Sequence, residues 1–219
     1  MGAMRAGIVP VTPFQQNCTI IYDEDTKAAA VIDPGGDVPR IMAALAKNQL
    51  DVTEIWLTHG HLDHAGGVYE LREALDARPS HAPVTIIGPD RRDEPLLQSL
   101  AAQGAHYGVT GLRNVTPDRW LTEGEQVRVG DHVFDVLHIP GHTPGHVVFV
   151  NHAHKFAQVG DVLFQNSVGR TDFPYGDHDA LIAGIKAKLL PLGDEYAFVC
   201  GHGPGSTIGA ERRGNPFIQ

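Results

Sequence analysis

The chain has 219 residues, of which 42% are hydrophobic and 20% charged, and this is enough to bury the core of one α/β domain. Its formal net charge of -9 argues against nucleic acid or an anionic membrane as a partner, because both require a basic surface. The two cysteines cannot build a disulfide framework of the secreted kind, and each lies in an apolar run where we expect a buried thiol.

No run of about 18 apolar residues is present, so we expect no membrane span. The first residues also lack a basic region followed by a long apolar segment, so we expect no signal peptide. A cytoplasmic protein is the expectation that follows.

Apolar segments of strand length alternate with amphipathic segments of helical periodicity along the chain. The pattern predicts strands at residues 17–22, 28–32, 54–57, 84–87, 146–150, 156–159 and 196–200. Helices are predicted at residues 38–47, 68–75, 94–102 and 179–190, the last with Asp179 as its N-cap. Residues 119–139 alternate like antiparallel strands, and residues 165–178 read as a long polar loop. This order predicts a single α/β sandwich domain over residues 1–219.

Side chains that can bind a metal follow several of the apolar segments, and four of these side chains come directly after a glycine. The segment THGHLDH at residues 58–64 follows the strand at 54–57, and it contributes His59, His61, Asp63 and His64. Histidines two residues apart face one side of an extended segment, whereas the adjacent Asp63 and His64 must diverge, which suits a second ion. The remaining candidates, each after an apolar run and a glycine, are His142, Asp161 and His202. We expect all seven at one edge of the sheets, where open α/β folds bind ligands.

Imidazole and carboxylate groups are suitable ligands for Zn²⁺, with Fe or Mn²⁺ as alternatives, and no thiolate is needed. We therefore predict two divalent metal ions, with Asp161 bridging them through its two oxygens. Such a pair supports hydrolysis of an acyl or ester bond without a Ser or Cys nucleophile. His146 is expected either to support the ligands or to stabilise its turn, and His138 to be a core or surface residue. The other histidines are expected to be surface or packing residues: His81, His106, His132, His152, His154 and His178.

The order of these motifs resembles the metallo-β-lactamase superfamily. The motifs are THGHLDH at 58–64, PGHTPGH at 140–146, GD at 160–161 and GHG at 201–203. Further segments are most similar to the type II glyoxalases, or hydroxyacylglutathione hydrolases, in their short bacterial form. These segments are PFQQNC at 13–18, DPGG at 33–36, GRTDF at 169–173, LLPLG at 189–193, GHGP at 201–204 and NPF at 215–217.

The resemblance implies an αββα sandwich of the metallo-β-lactamase type with its metal site along one edge. By motif position, one ion would be held by His59, His61 and His142, the second by Asp63, His64 and His202, with Asp161 between them. The implied reaction is hydrolysis of S-D-lactoylglutathione, the thioester of methylglyoxal detoxification, to D-lactate and glutathione. The attacking group would be a hydroxide that bridges the metals, and Asp63 would orient it.

The long glyoxalases add a C-terminal helical domain that supplies cationic contacts to glutathione. Only residues 203–219 follow the last ligand here, so we expect that domain to be missing and glutathione thioesters to be recognised more weakly or more broadly. Arg170 matches in position a basic residue that those enzymes place on glutathione, and a guanidinium can bind a carboxylate bidentately. Phe173 and Tyr175 are expected to flank the same substrate pocket.

Several other activities remain compatible with these residues. A persulfide dioxygenase with a single iron shares the early His/Asp motif and the GRTDF loop, although such enzymes typically lack the GHGP segment found at residues 201–204. Lactonases and β-lactamases share the whole cluster. Processing nucleases of the superfamily carry large RNA-binding elements, and non-catalytic members usually lose ligands; neither description fits this chain. The sequence leaves the oligomeric state open.

Overall fold

Two β-sheets packed face to face form the centre of the molecule, in a computed structural model that describes residues 2–79 and 82–219. His81 therefore lies outside the described residues. The first sheet has five strands in the order β1 to β5. The pairs β1–β2 and β2–β3 are antiparallel, and the pairs β3–β4 and β4–β5 are parallel. Its strands are β1 (Met4–Val11), β2 (Gln16–Asp23), β3 (Ala28–Ile32), β4 (Asp51–Trp56) and β5 (Thr85–Ile87).

The second sheet has six strands in the order β13-β12-β9-β8-β7-β6. They are β6 (Gln126–Val129), β7 (His132–His138), β8 (Val147–Asn151), β9 (Phe156–Gln158), β12 (Ala197–Val199) and β13 (Ser206–Thr207). Strands β9 and β12 pair in parallel, so the loops that follow them leave the sheet at the same edge. A separate two-stranded hairpin is formed by β10 (Leu163–Phe164) and β11 (Ser167–Val168).

Helices cover the outer face of each sheet. Ile41 and Leu71 belong to the core under the first sheet, whereas Leu181 and Ile208 belong to the core under the second. The helices are α1 (Val38–Lys47), α2 (Leu62–Ala65), α3 (Val68–Asp76), α4 (Glu94–Leu97), α5 (Leu100–Tyr107), α6 (His178–Gly184) and α7 (Ile208–Gly214). A third apolar cluster lies between the sheets, so the layers run helix, sheet, sheet, helix. The αββα sandwich is confirmed.

The structure differs from the sequence prediction where local signals are weak. Strand β1 was not predicted because it is an edge strand whose side chains are mostly exposed. The helix predicted at 94–102 is two helices, α4 and α5, separated at residues 98–99. The choice of Asp179 as an N-cap was wrong, because Asp177 accepts the Ala180 amide and the helix begins at His178. The predicted polar loop 165–178 includes strand β11, and the short helix α7 was not predicted.

Both cysteines are buried and free, as their apolar runs predicted. Burial raises the pKa of the Cys18 thiol well above its usual range and that of Cys200 to about 11. Among residues 2–79 and 82–219 no helix combines the length and the apolar character needed to cross a membrane.

The centre of the sandwich depends on Trp56, which is fully buried between the sheets. Its ring centroid lies 5.4 Å from that of Phe134 and 5.1 Å from that of Phe149. We expect Trp56→Ala to lower the free energy of unfolding by about 3–5 kcal/mol in urea titrations, because the cavity cannot collapse between two sheets. The control Ile8→Ala, at a side chain 44% exposed, should change it by less than about 0.5 kcal/mol. Equal effects of the two substitutions would contradict this packing.

Candidate metal centre

The seven predicted ligands come together where four loops leave the two sheets. The loop after β4 carries His59 and His61, and helix α2 begins directly after it, which places Asp63 and His64 on a single helical turn. His142 lies in the loop after β7. Asp161 and His202 follow the parallel strands β9 and β12, and this pairing brings them to the same edge.

Two glycines allow the loops to approach this closely. Gly160 has a φ of 50°, in the left-handed region that favours glycine, and a Cβ there would lie 2.6 Å from His146 Nε2. A Cβ on Gly201 would collide with Asp161 Oδ1. The recurrent glycine before a ligand in the sequence thus has a steric cause.

The first group of ligands consists of three histidines whose nitrogens converge. His61 Nδ1 lies 3.1 Å from His59 Nε2 and 3.0 Å from His142 Nε2. All three rings are buried. Burial lowers the pKa of His59 well below its usual range, that of His61 to about 3, and that of His142 in the same direction. The rings are therefore neutral at pH 7, the state in which an imidazole nitrogen can bind a metal.

The second group consists of Asp63, His64 and His202. Asp63 Oδ2 lies 3.1 Å from His202 Nε2 and 3.8 Å from His64 Nε2. His64 Nε2 is buried and has no hydrogen-bond partner among the described residues. A buried polar atom without a hydrogen-bond partner is costly, and the position of this nitrogen beside the carboxylates of Asp63 and Asp161 fits a site for a metal cation.

Asp161 connects the two groups. Its Oδ2 lies 3.5 Å from His142 Nε2 and 3.6 Å from His202 Nε2, while its Oδ1 lies 3.4 Å from His64 Nε2. Burial alone would raise the pKa of Asp161, but the imidazoles of His64, His142 and His202 lower it well below its usual range. The carboxylate is therefore ionised and has an oxygen near the imidazoles of each group.

These separations fit bound metal ions. Ligand atoms about 2.0–2.2 Å from an ion in a tetrahedral arrangement lie roughly 3.3–3.6 Å from one another. The separations given above run from 3.0 Å between His61 and His142 to 3.8 Å between Asp63 and His64, on both sides of this range, and the ligand atoms of each group of three lie within 4.8 Å of one another. Nitrogen and oxygen donors without a thiolate accept zinc, iron and manganese alike. The His/Asp cluster is thus capable of binding metals, and its donor set does not select one of them.

Hydrogen bonds to the outer nitrogens fix the orientation of the rings. Asp33, fully buried, has its Oδ2 2.8 Å from His64 Nδ1 and accepts the Thr58 hydroxyl at 2.6 Å. His142 Nδ1 donates to the Arg170 carbonyl at 2.8 Å, and His202 Nδ1 to the Phe14 carbonyl at 3.2 Å. Each contact holds the ring with Nε2 toward the centre. The DPGG segment signalled Asp33 in the sequence, although without a role.

His146 supports the backbone of Asp161, the predicted ligand between the two groups. Its ring is fully buried and stacks on that of His59, with centroids 4.7 Å apart. Burial lowers the pKa of His146 well below its usual range, so Nε2 accepts the Asp161 amide at 3.0 Å. Of the two roles expected for His146, the structure shows support of a ligand.

Asp93, which sequence reasoning missed, links the two histidine loops of the first group. Its Oδ2 accepts the Gly60 amide at 2.9 Å and the Thr143 hydroxyl at 2.8 Å, and its Oδ1 accepts the Gly145 amide. Burial raises the pKa of Asp93 to about 6 although these three donors favour its ionised form. It lies about 30 residues from the nearest motif, so its role could not be read from spacing.

A cavity of about 710 Å³ opens beside the cluster and is lined by all three residues expected to contact substrate. The Tyr175 hydroxyl lies 2.8 Å from His61 Nε2, and the Phe173 ring centroid lies 5.0 Å from that of His61. The Arg170 guanidinium donates to both carboxylate oxygens of Asp172 at 2.7 Å and lies 4.4 Å from the Phe173 ring centroid. Arg170 is thus at the cavity with its charge already paired.

Comparison with known proteins agrees with this architecture. The sequence profile described as "Metallo-beta-lactamase superfamily" matches residues 11–202. The chain belongs to this superfamily. Hydroxyacylglutathione hydrolase GloC of Haemophilus influenzae is 45% identical over 216 residues, which is 98% of each chain.

Two solved structures share this fold closely but are described by different properties, one as a β-lactamase and one by its bound iron. The B3 metallo-beta-lactamase BLEG-1 is 34% identical with a TM-score of 0.87, and the match covers 98% of this chain and 99% of that one. TTHA1623, solved in a di-iron-bound form, is 37% identical with a TM-score of 0.84, covering 96% and 99%. The superfamily and the similarity to GloC support a metal-dependent hydrolase. The fold by itself does not determine which bond is hydrolysed.

Asp93→Asn tests the link between the histidine loops. The asparagine amide would direct an N–H group at one of the three groups that now donate hydrogen bonds to the Asp93 carboxylate, and that hydrogen bond would be lost. We expect metal affinity, measured by competition with a chromogenic chelator, to fall by about 10–100-fold, as is typical for groups that orient metal ligands. Asp131→Asn, in an exposed turn, serves as the control. Unchanged affinity in Asp93→Asn would show that the loops hold their positions without this carboxylate.

Proposed function

We propose that this chain is a binuclear metal-dependent thioester hydrolase that converts S-D-lactoylglutathione to D-lactate and glutathione. The observation that carries the proposal is Asp161, whose Oδ2 lies 3.5 Å from His142 Nε2 in the first group and 3.6 Å from His202 Nε2 in the second, while its Oδ1 lies 3.4 Å from His64 Nε2. A carboxylate in this position is suited to holding two cations together. The 45% identity to hydroxyacylglutathione hydrolase GloC over nearly the full length supports the choice of reaction.

In this proposal His59, His61 and His142 hold one ion, and Asp63, His64 and His202 hold the other, with Asp161 contacting both. Zinc is our first choice, with iron or manganese as alternatives. Two bound divalent ions would lower the pKa of a water molecule to near neutrality and polarise the thioester carbonyl. This supplies the nucleophile that a hydrolase without a catalytic Ser or Cys requires.

The chain itself orients the reacting groups. Asp63 has one oxygen, Oδ2, 3.1 Å from His202 Nε2, which leaves Oδ1 to accept a hydrogen bond from the attacking water. Tyr175 is held against His61 and lines the same cavity. Because His61 directs Nδ1 to the cluster, its Nε2 carries the proton and donates to the Tyr175 oxygen, so the tyrosine keeps its own O–H for the substrate.

The leaving group explains why a thioester suits the site better than an amide. A thiol with a pKa of about 8.5 can leave as a thiolate, so no proton donor is needed, whereas an amine must be protonated as it leaves. Burial raises the pKa of Tyr175 to about 12, which makes its hydroxyl a poor acid at neutral pH. We place the substrate in the 710 Å³ cavity, against Arg170, Phe173 and Tyr175, and the reaction in the cytoplasm.

The direct test measures hydrolysis of S-D-lactoylglutathione by protein loaded with two equivalents of Zn²⁺, Fe²⁺ or Mn²⁺. The rate is read from the thiol that is released. Asp161→Ala should lower kcat/KM by at least about 1,000-fold and reduce bound metal below two equivalents, because it removes the carboxylate common to both ions. His154→Ala, at an exposed histidine outside the cluster whose ring contacts Asn151, is the control for general damage.

An oxygen electrode separates hydrolysis from the iron-dioxygenase alternative. Under the proposal, the iron-loaded protein consumes no O₂ when glutathione persulfide is added, and lactoylglutathione is cleaved equally well under nitrogen. Stoichiometric O₂ uptake together with no thioester cleavage would overturn the proposal in favour of the dioxygenase. Cleavage of a β-lactam or lactone with no thioester cleavage would overturn it in favour of those activities.

A further inference from the structure

Most polar groups around the substrate cavity already have partners within the protein. Arg170 is the only Lys or Arg among the described residues that line it, and its guanidinium is paired bidentately with Asp172. Both side chains are more than half exposed, so this pair also competes with solvent. A substrate carboxylate that approached Arg170 would have to displace Asp172 and would meet its negative charge.

Two uncharged polar side chains of the cavity, Gln103 and Ser99, are similarly engaged. Gln103 accepts the Leu62 amide through Oε1 at 3.0 Å and donates through Nε2 to the Leu96 carbonyl at 2.8 Å. Ser99 donates its hydroxyl to the same Leu96 carbonyl at 3.0 Å. These hydrogen bonds position residues 60–62 of the loop after β4, and they leave Gln103 and Ser99 little capacity to bind a ligand. The Tyr175 O–H and the His106 ring remain available, and neither supplies a permanent positive charge.

The described lining of the adjoining cavity offers no unpaired cation either. It has a volume of about 370 Å³ and shares Phe14, Leu62 and Asp63 with the first. Its one arginine among the described lining residues, Arg113, donates to both oxygens of Glu73 at 2.7 and 3.0 Å. A substrate long enough to extend from the first cavity into the second would therefore find no unpaired positive group for its carboxylate among the described lining residues.

What the cavity does present is apolar surface. Phe14 is 37% exposed and Tyr107 50% exposed, and their rings meet edge to face with centroids 5.9 Å apart. They are two of the four large apolar side chains that the described surface exposes, and both line this cavity. Exposed aromatic pairs at a cavity gain free energy when a ligand covers them. The other apolar lining residues are Leu62, Leu96, Phe164, Val168 and Phe173.

We infer that the site recognises its thioester chiefly by apolar contact with Phe14 and Tyr107 and therefore hydrolyses thioesters of small uncharged thiols as well as those of glutathione. This inference rests on the proposed thioester hydrolysis and adds the substrate class. The glutathione carboxylates contribute at most what an exposed ion pair contributes, which corresponds to a factor of about five or less. Binding that depended on desolvated ionic pairs would give factors of about 10–100 for each carboxylate.

The experiment compares S-D-lactoylglutathione with S-D-lactoyl-N-acetylcysteamine, which has the same acyl group and thioester but lacks both carboxylates and the amine. We expect kcat/KM to agree within about fivefold and KM for lactoylglutathione to vary less than about twofold between 0.05 and 0.5 M NaCl. A truncated substrate more than about 10-fold slower would overturn the inference while leaving the proposed hydrolysis intact, because a loss of that size requires ionic recognition of the carboxylates. Failure to cleave either thioester with two ions bound would instead overturn the proposed function.

Variants of the aromatic pair provide the second arm. Tyr107→Ala and Phe14→Ala should each raise KM by about 5–20-fold for both substrates with kcat within about twofold, because uniform apolar binding is lost. The Phe14 carbonyl that accepts from His202 is retained in the variant. Phe217→Ala is the matched control, since this ring is 48% exposed and lies outside the lining of the cavity. Unchanged KM in both aromatic variants would also overturn the inference.

Discussion

The geometry of the site depends on one buried carboxylate. Asp161 must be ionised, buried and within reach of imidazoles from both ligand groups, and each requirement costs stability unless positive charge compensates it. The surrounding structure meets these requirements locally. Gly160 adopts a positive φ to turn the chain, Gly201 leaves space beside Oδ1, and the neutral His146 ring accepts the Asp161 amide. The parallel pairing of β9 with β12 then brings His202 to the same edge.

Support for the cluster comes from residues on both sheets. Asp33, at the end of β3, orients His64, and Asp93 ties the loop after β4 to the loop after β7. The ligands are thus held by buried hydrogen bonds rather than by loop packing alone, which is how a site that carries excess charge can be kept preorganised. Substrate recognition has no comparable framework. Among the described residues of the cavity, the one arginine is exposed and paired with Asp172, while the rings of Phe14 and Tyr107 contact each other and are exposed.

Sequence patterns predicted the parts of the structure that have strong local signals. Helix α1 and strand β3 have the predicted bounds, because each is a regular amphipathic or apolar segment with turn residues beside it. The seven ligand candidates were identifiable because glycine-ligand steps recur after apolar strands. The edge strand β1 and the partners of the ligands were not, because exposed strands lack apolar alternation and Asp93 acts only through tertiary hydrogen bonds. The pairing of Arg170 with Asp172 is local, two residues apart in GRTDF, but it depends on the side-chain conformations of two exposed residues, which sequence patterns do not predict.

The superfamily fold supports many reactions, so the number and position of the metal ions decide more than the fold does. The most direct measurement is a crystal structure of the metal-loaded protein with anomalous diffraction data collected at the edge of the bound metal. Two peaks about 3.5–4 Å apart are expected, one beside His59, His61 and His142 and the other beside Asp63, His64 and His202, with one Asp161 oxygen near each. A single peak at full metal loading, with Asp63 and Asp161 both away from it, would contradict the account.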